Sequence, residues 1–399
     1  MTAQPIETSS NSALCQIIAQ QIATSPEQRI SFAEFMELAL YEPQHGYYAT
    51  NRGSQGIQRD FFTSPHLGSD FGELLAEQFA DMWHQLGRPN PFTLIEMGAG
   101  QGLLVQDIVR YLHRHHFECF AALEYWIIEK STGLIAAQQQ RLKSFTNSWG
   151  KLSWRSWEEI PSNSIVGCCF SNELVDAFPV HLVEATAGKL QEVYVAIDDE
   201  NQIKEVIGPL STARIEDYFK LIDVDLLSER YPDPYRTEVN LAALDWLTTV
   251  ADRLQRGYLL TIDYGYPAYR YYSPTRDQGT LQCYTQHAHH NDPFIAIGQQ
   301  DITAHVNFTA LEQQGEQSGL QTIGFTQQGL FLMALGLGER LNALSNPAPE
   351  LTVPDILKRR EILHGLIDPT GLGNFGVLVQ AKNVDQKAVK GLIVPPLFG

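Results

Sequence analysis

The chain of 399 residues carries 28 Lys and Arg against 46 Asp and Glu, a formal charge of −18. That balance, with no Lys/Arg-rich run anywhere, argues against a reader of nucleic-acid phosphates, which needs a basic surface or stripe. Hydrophobic content of 44% and charged content of 19% are those of a folded chain rather than a disordered one, long enough for two or three domain-sized units or one large α/β domain with insertions.

The start, MTAQPIETSSNSALCQIIAQQ, has neither a basic stretch leading an apolar one nor an Arg-rich transit composition, so neither secretion nor organelle import is expected. Over residues 30–40, Ile30, Phe32, Phe35, Met36 and Leu40 recur at helical spacing, Ser31 and Glu34 make a capping-box start, and Pro43 marks the end. Residues 46–65 are rich in Tyr, Gly and Ser, with turn-like Gly53 and Gly56, and read as a loop carrying aromatic side chains over a site. A longer helix follows through Phe71, Leu74, Leu75, Phe79, Met82 and Trp83 to Gly87.

Strands then alternate with helices, the mark of a largely parallel sheet covered on both faces. Strand-like runs fall at 92–97, 125–128, 152–154, 164–170, 257–262, 320–325 and 375–380, with an amphipathic helix at 103–113. Alternating apolar residues over 182–207 suggest a hairpin, and 267–319 is a long polar, aromatic, His-containing insertion. The apolar stretch near 330–337 is roughly eight residues, far short of the ~20 a spanning helix needs. Five cysteines form no CxxC pair, which suits a reducing compartment. The reading is a soluble, cytoplasmic protein without a membrane span.

The segment Glu96-Met-Gly-Ala-Gly-Gln-Gly102 places glycines where a buried strand turns into a helix. Glycines there permit a tight turn and close approach of a ligand, and the helix start offers free N–H groups. A dinucleotide site needs GxGxxG, but Leu103 stands at the last position. The observed GxGxG, with Glu96 two residues ahead, looks like motif I of class I S-adenosylmethionine methyltransferases. Glu129 closes the next strand about thirty residues on, where a carboxylate can accept both hydroxyls of a ribose in either enzyme class. After the fourth strand comes Asn172-Glu-Leu-Val-Asp-Ala-Phe-Pro179, at the end of the sheet that presents ligands. For a guanidinium acceptor, Glu173 and Asp176 orient the planar fork and localise its charge. The bland alternative makes Asn172 a helix cap and Asp176 a first-turn charge.

Ala39-Leu-Tyr-Glu-Pro-Gln-His-Gly-Tyr-Tyr48, Asp60-Phe-Phe-Thr-Ser-Pro65, Phe71-Gly-Glu-Leu-Leu-Ala76, the glycine loop, Asn172 to Pro179, Asp263-Tyr-Gly265 and Gln300-Asp-Ile-Thr-Ala-His-Val-Asn-Phe308 together resemble the MidA-like methyltransferase family, which includes a mitochondrial complex I assembly factor that methylates arginine. The resemblance runs in order from about Ile30 to Gln380. It implies a class I methyltransferase fold: a Rossmann-like α/β sheet of seven strands with an N-terminal helical cover and insertions. The parts would be a cover over 1–90, a first core portion over 91–266 with inserted hairpin and helices at about 182–256, an acceptor-side insertion at 267–319, the end of the core at 320–385 and a tail at 386–399.

The resemblance further implies that S-adenosyl-L-methionine is held by Glu96, Gly98, Ala99, Gly100, Gly102, Glu129 and Asn172, with Thr63, Ser64 and Pro65 closing over its methionine end. Asn172, Glu173 and Asp176 would be catalytic, and Tyr47, Asp263, Tyr264, Asp301 and His305 are candidates for the acceptor. One departure is Arg59, where the family commonly has glycine. The implied partner is a protein substrate, a subunit of an NADH-dehydrogenase-like respiratory assembly.

His287, His289 and His290, and the i,i+4 pair Asp301 and His305, lack a His-Glu-x-x-His arrangement, so no metal is expected; Asp301 and His305 are read as neighbours on one helix turn. Tyrosines 264, 266, 269, 271 and 272 either line a channel for a cation or pack a loop. The apolar helix surfaces near 331–337 and 341–344 pair with a second copy or close the sheet between its last strands. Two other functions stay open: an assembly chaperone that uses the fold without turnover, and, disfavoured by Leu103, a nicotinamide oxidoreductase.

Overall fold

A computed structural model describes residues 10–50, 64–200, 202–285, 288–345, 352–385 and 388–393. Thr63, Arg59 and His287, and most of the expected aromatic loop, lie outside the described residues. The seven runs named from the sequence form one sheet: β1 (Phe92–Met97), β2 (Leu123–Ile128), β3 (Leu152–Trp154), β4 (Ile165–Asn172), β5 (Leu254–Asp263), β6 (Gln321–Gln327) and β7 (Gly376–Lys382). Their order is β6-β7-β5-β4-β1-β2-β3. The five central and outer strands β5, β4, β1, β2 and β3 run parallel, and β7 enters antiparallel to both β5 and β6. All six residues of β1 are buried, as expected of a strand covered on both faces. This is the class I methyltransferase fold.

The helix Ser69–Gln85 covers one face of the sheet; Phe79 packs on Phe170 of β4 with ring centroids 4.9 Å apart. The helices Leu241–Arg253 and Phe308–Gln317 cover the other, beginning at Asn240 and Asn307, whose side chains cap them. The last part of the 267–319 insertion thus returns to the sheet as the helix Phe308–Gln317. Phe331, Leu332, Leu335, Leu337 and Leu344 are all buried in the main core. Of the two roles open to these apolar surfaces, their burial fits closing the sheet between its last strands.

Outside the core, the expected hairpin is three antiparallel strands, His181–Thr186, Lys189–Ile197 and Ile203–Gly208, joined by Tyr235–Val239. An N-terminal strand, Arg29–Ser31, continues the edge where the first of these leaves off, with Ser31 opposite Tyr194 and Leu182 opposite Val193. Ile30 is thus a strand residue, and the helix starts at Phe32 and runs to Tyr41 with Ser31 and Glu34 forming the capping box. This helix and Ser12–Thr24 share a core with that sheet and with Cys283, Ile297 and Ile302 of the insertion. The insertion itself carries a small antiparallel sheet of Gln282–Thr285, Ala288–His290 and Asp301–Thr303.

Candidate active site

Open α/β sheets present ligands in the crevice where strand order reverses, outside the carboxyl ends of the flanking strands. Here those strands are β1 and β4, paired with Met97 opposite Ser171. The cleft at this point is lined from β1 by Glu96, Gly98, Ala99, Gly100 and Gln101, and from β4 by Asn172, Glu173, Leu174, Asp176 and Ala177. Glu129, Leu134, Pro65 and His66 complete one side, and Tyr41, Tyr48 and Asp301 reach in from the cover and insertion.

Gly98, Gly100 and Gly102 have φ of 70°, 51° and 73°, a region that side chains with a Cβ rarely enter. Their tasks differ. A Cβ on Gly98 would stand 2.6 Å from Leu174, whereas one on Gly100 would meet no atom within 4 Å and would occupy open space at the cleft wall. Gly102 caps the helix Leu103–His115 in the left-handed conformation and does not line the cleft.

The carboxylate of Glu129 is fixed on both oxygens. Lys130 and Ser131 donate backbone N–H groups to Oε1 at 2.9 and 3.0 Å, and Gln138 Nε2 donates to Oε2 at 3.3 Å. Gln138 also donates to the Gly100 carbonyl at 2.9 Å and accepts from Trp154 Nε1 at 2.8 Å. One fully buried amide therefore ties the glycine loop to Glu129. Burial pushes Glu129 up from the ordinary carboxylate range, against the pull of these donors. Glu96 is lifted by burial to about 8 while accepting a 2.6 Å hydrogen bond from the Tyr125 hydroxyl.

Across the cleft, Asn172 Nδ2 donates to Glu173 Oε1 at 3.0 Å, leaving Asn172 Oδ1 buried without a hydrogen-bond partner, as is Asp176 Oδ1. Glu173 sits at φ 51°, a conformation that costs a non-glycine residue about 1–3 kcal/mol and that recurs at functional sites. Burial, and then the charge of Asp176, raise its carboxyl to about 8, while the Ser64 backbone N–H bonds it and pulls it down. Asp176 is raised to about 6 by burial, held back by the Tyr264 hydroxyl and backbone N–H groups.

Several expected roles change. Asp263 does not face an acceptor. It is fully buried, its Oδ2 accepts from the backbone N–H groups of Leu174, Val175 and Asp176 at 3.2, 2.9 and 3.3 Å, and its Oδ1 from that of Tyr264 at 2.9 Å. It positions the loop that carries Glu173 and Asp176. Replacing it with alanine should cut activity at the site at least about tenfold, since each lost hydrogen bond is worth roughly 0.5–1.5 kcal/mol and four are lost together. A thermal melt and a turnover assay on Asp263→Ala check this; wild-type turnover would contradict it.

Tyr47 points into the second core, edge-on to Tyr48 at 5.1 Å, and it is Tyr48 that faces the cleft. Tyr264 and His305 pack edge-on at 5.1 Å, with Tyr266 stacked on the histidine ring at 5.3 Å, and neither Tyr264 nor His305 lines the cleft. Burial and Arg276 lower His305 to about 4. Asp301 and His305 share no helix turn: Asp301 begins a short strand and His305 follows it. The Ser64 side chain is turned from the cleft towards Gln328, so only its backbone meets the site. Among the described residues no group of three or more His, Cys, Asp or Glu is arranged to hold a metal ion, and no helix is long and apolar enough to cross a membrane.

Sequence reasoning missed Tyr41, Tyr48, Gln101, His66 and Leu134 as lining residues, and Gln138 behind them. Tyr41 and Tyr48 lie inside the segment that carries the family resemblance, which was the available signal. Gln138 gave none, being one of three consecutive glutamines.

The strand order, the glycine turn at the reversal point and the carboxylate after β2 define a class I S-adenosylmethionine-dependent methyltransferase. The chain belongs to the family of S-adenosyl-L-methionine-dependent methyltransferases whose profile matches residues 74–326. It is 31% identical to the protein arginine methyltransferase NDUFAF7 homolog of Drosophila melanogaster over 82% of this chain and 76% of that protein. To human NDUFAF7 it is 28% identical over 88% of this chain and 80% of that one. A crystal structure of a Burkholderia thailandensis protein bound to S-adenosyl-homocysteine superposes with a TM-score of 0.81 at 30% identity, covering 98% of this chain and 97% of that one. The insect and human relatives are named mitochondrial proteins, which overturns the expected cytoplasmic location.

The residues present fit the cofactor. Glu129 offers a carboxylate already oriented for a pair of hydroxyls, Gly100 leaves room for a ligand against the loop, and Asn172 Oδ1 is a buried acceptor awaiting a donor. A neighbouring chamber shares Tyr41, Gly98, Glu129 and Leu174 with the cleft and is walled by Ile128, Trp157, Phe178 and Trp246, an apolar, aromatic setting for the flat base of a nucleoside.

Proposed function

We propose that the protein methylates an arginine side chain of a partner protein, with a subunit of an NADH-dehydrogenase-like respiratory assembly as its client. The observation that carries this reading is the gathering of three carboxylates, Glu173, Asp176 and Asp301, around one cleft together with two tyrosine rings. Carboxylates match the planar fork of a guanidinium, and tyrosine faces attract a cation. The naming of the relatives as protein arginine methyltransferases supports the same acceptor.

When bound, the cofactor supplies an electrophilic methyl group for in-line displacement. Glu129 would hold its ribose, the Gly98 to Gly100 turn its amino-acid portion, and Asn172 Oδ1 a donor of that portion. Transfer to arginine releases one proton, because both the substrate and the methylated product are cations. Glu173 and Asp176 hold the guanidinium, turn one nitrogen towards the methyl group and take up that proton on a carboxylate oxygen. Tyr41 and Pro65 help to keep water from the cleft they line.

Co-expression with respiratory-complex subunits, followed by mass spectrometry of the recovered subunits, tests the reading. The expected result is an arginine heavier by one or two methylene units, absent with Asp176→Asn. Methylation confined to lysine or to a small molecule would overturn it.

A further inference from the structure

The two tyrosines that reach the cleft from the N-terminal cover are built into both of its halves. The Tyr48 hydroxyl lies 2.8 Å from Oδ1 and from Oδ2 of Asp301, to which it donates. Its backbone carbonyl accepts the Ser131 hydroxyl at 2.8 Å, and Ser131 is the residue whose N–H helps fix Glu129. Tyr41 stacks on Tyr48 with centroids 5.3 Å apart and planes 26° from parallel. Its hydroxyl donates to the carbonyl of Ala177, next to Asp176, at 2.9 Å, and Lys130 Nζ stands 4.5 Å from its ring centre. The turn that carries Tyr48 is held by Tyr47 and Tyr48 N–H groups on the Ala39 and Leu40 carbonyls, both at 3.0 Å.

We propose that Tyr48 is a positioning residue that sets Asp301 as the third carboxylate of the acceptor pocket. The inference rests on the cationic acceptor argued above. Burial, then the charge of Asp301, pushes the Tyr48 hydroxyl well above its ordinary range, so it stays a donor at any physiological pH. Asp301 Oδ1 also accepts the Ile302 backbone N–H at 3.0 Å, and the Tyr48 hydroxyl, at 2.8 Å from both oxygens, fixes the carboxylate's rotation towards the cleft. Without it, the carboxylate can turn to other partners, and a bound cation loses one of its three anionic contacts.

The test uses the full chain saturated with S-adenosylhomocysteine, titrated with acetyl-Gly-Arg-Gly-amide and, in parallel, acetyl-Gly-Lys-Gly-amide. Tyr48→Phe keeps the ring and the stack and removes only the donor. It should weaken the arginine peptide roughly tenfold, the range expected for one hydrogen bond to a charged group, while S-adenosylhomocysteine affinity stays within twofold. Asp301→Asn should weaken it to a similar degree, and the double variant no more than either alone, because both substitutions remove one interaction. That non-additivity is a readout that loosened packing would not produce, and Asp301→Asn carries the test if Tyr48→Phe fails to fold. Equal peptide affinity in wild type and both variants overturns the inference alone. A wild type that prefers the lysine peptide overturns the arginine reading, with the same variants then read on that peptide. A wild type that binds neither peptide overturns both.

Discussion

Valine in place of Gly100 is expected to reduce S-adenosylmethionine binding, measured by isothermal titration, at least about a hundredfold while the protein remains folded; a drop of this size corresponds to roughly 3 kcal/mol. Two effects combine. The residue sits at φ 51°, where a β-branched side chain is a genuine outlier, costing on the order of 1–2 kcal/mol. The new side chain would also meet no protein atom within 4 Å, because it would project from a residue that lines the cleft. It therefore fills ligand space rather than clashing with the fold. Gly150→Val is the control: its φ of 69° and open surroundings impose the same backbone strain on a turn that lines no described part of the cleft. Both variants should melt a few degrees below wild type, and only Gly100→Val should lose the cofactor. If Gly100→Val bound as tightly as wild type, the glycine turn would not be the cofactor loop.

The framework of this site was legible because its signals are local. Six consecutive buried residues make β1, and glycines follow where the chain must turn; Ser31 and Glu34 announce their capping box by spacing alone. What stayed hidden depends on contacts distant in sequence. Tyr47 and Tyr48 are adjacent, and only the turn hung from the Ala39 and Leu40 carbonyls decides which ring faces the cleft. Asp263 looks like Glu173 in the sequence, a carboxylate at a strand end. It is consumed by amides 87–89 residues away, so its job is to hold a loop. Asp301 and His305 have helical spacing, but pairing of Asp301–Thr303 with Gln282–Thr285 takes the first into a sheet. The net charge of −18 also acquires a location: its relevant part is the three carboxylates at the cleft, where a cationic acceptor would meet them.

Activity should rise with pH across the range in which those carboxylates lose their protons. In the free protein Asp176 lies at about 6 and Glu173 at about 8, and only the ionised pair attracts a guanidinium and accepts its proton. The logarithm of kcat/KM should climb steeply below pH 6, less steeply between 6 and 8, and level above. Asp176→Asn should cost about two to four orders of magnitude, the usual worth of a positioned general base. It should also shift the remaining inflection below 8, because the Asp176 charge is one of the causes that raise Glu173. Glu173→Gln should leave a single, lower inflection. Stability should move in the opposite sense. A carboxyl whose folded pKa is raised favours the folded state fully below its unfolded value, near 4.5, and that contribution is lost as pH rises through 8. Glu173→Gln should therefore melt higher than wild type at pH 9 and no higher at pH 4. Initial rates of methyl incorporation and thermal melts over pH 4 to 9.5 read both effects; a rate profile that is flat from pH 5 to 9 would remove Glu173 and Asp176 from the chemistry and leave them as structural charges.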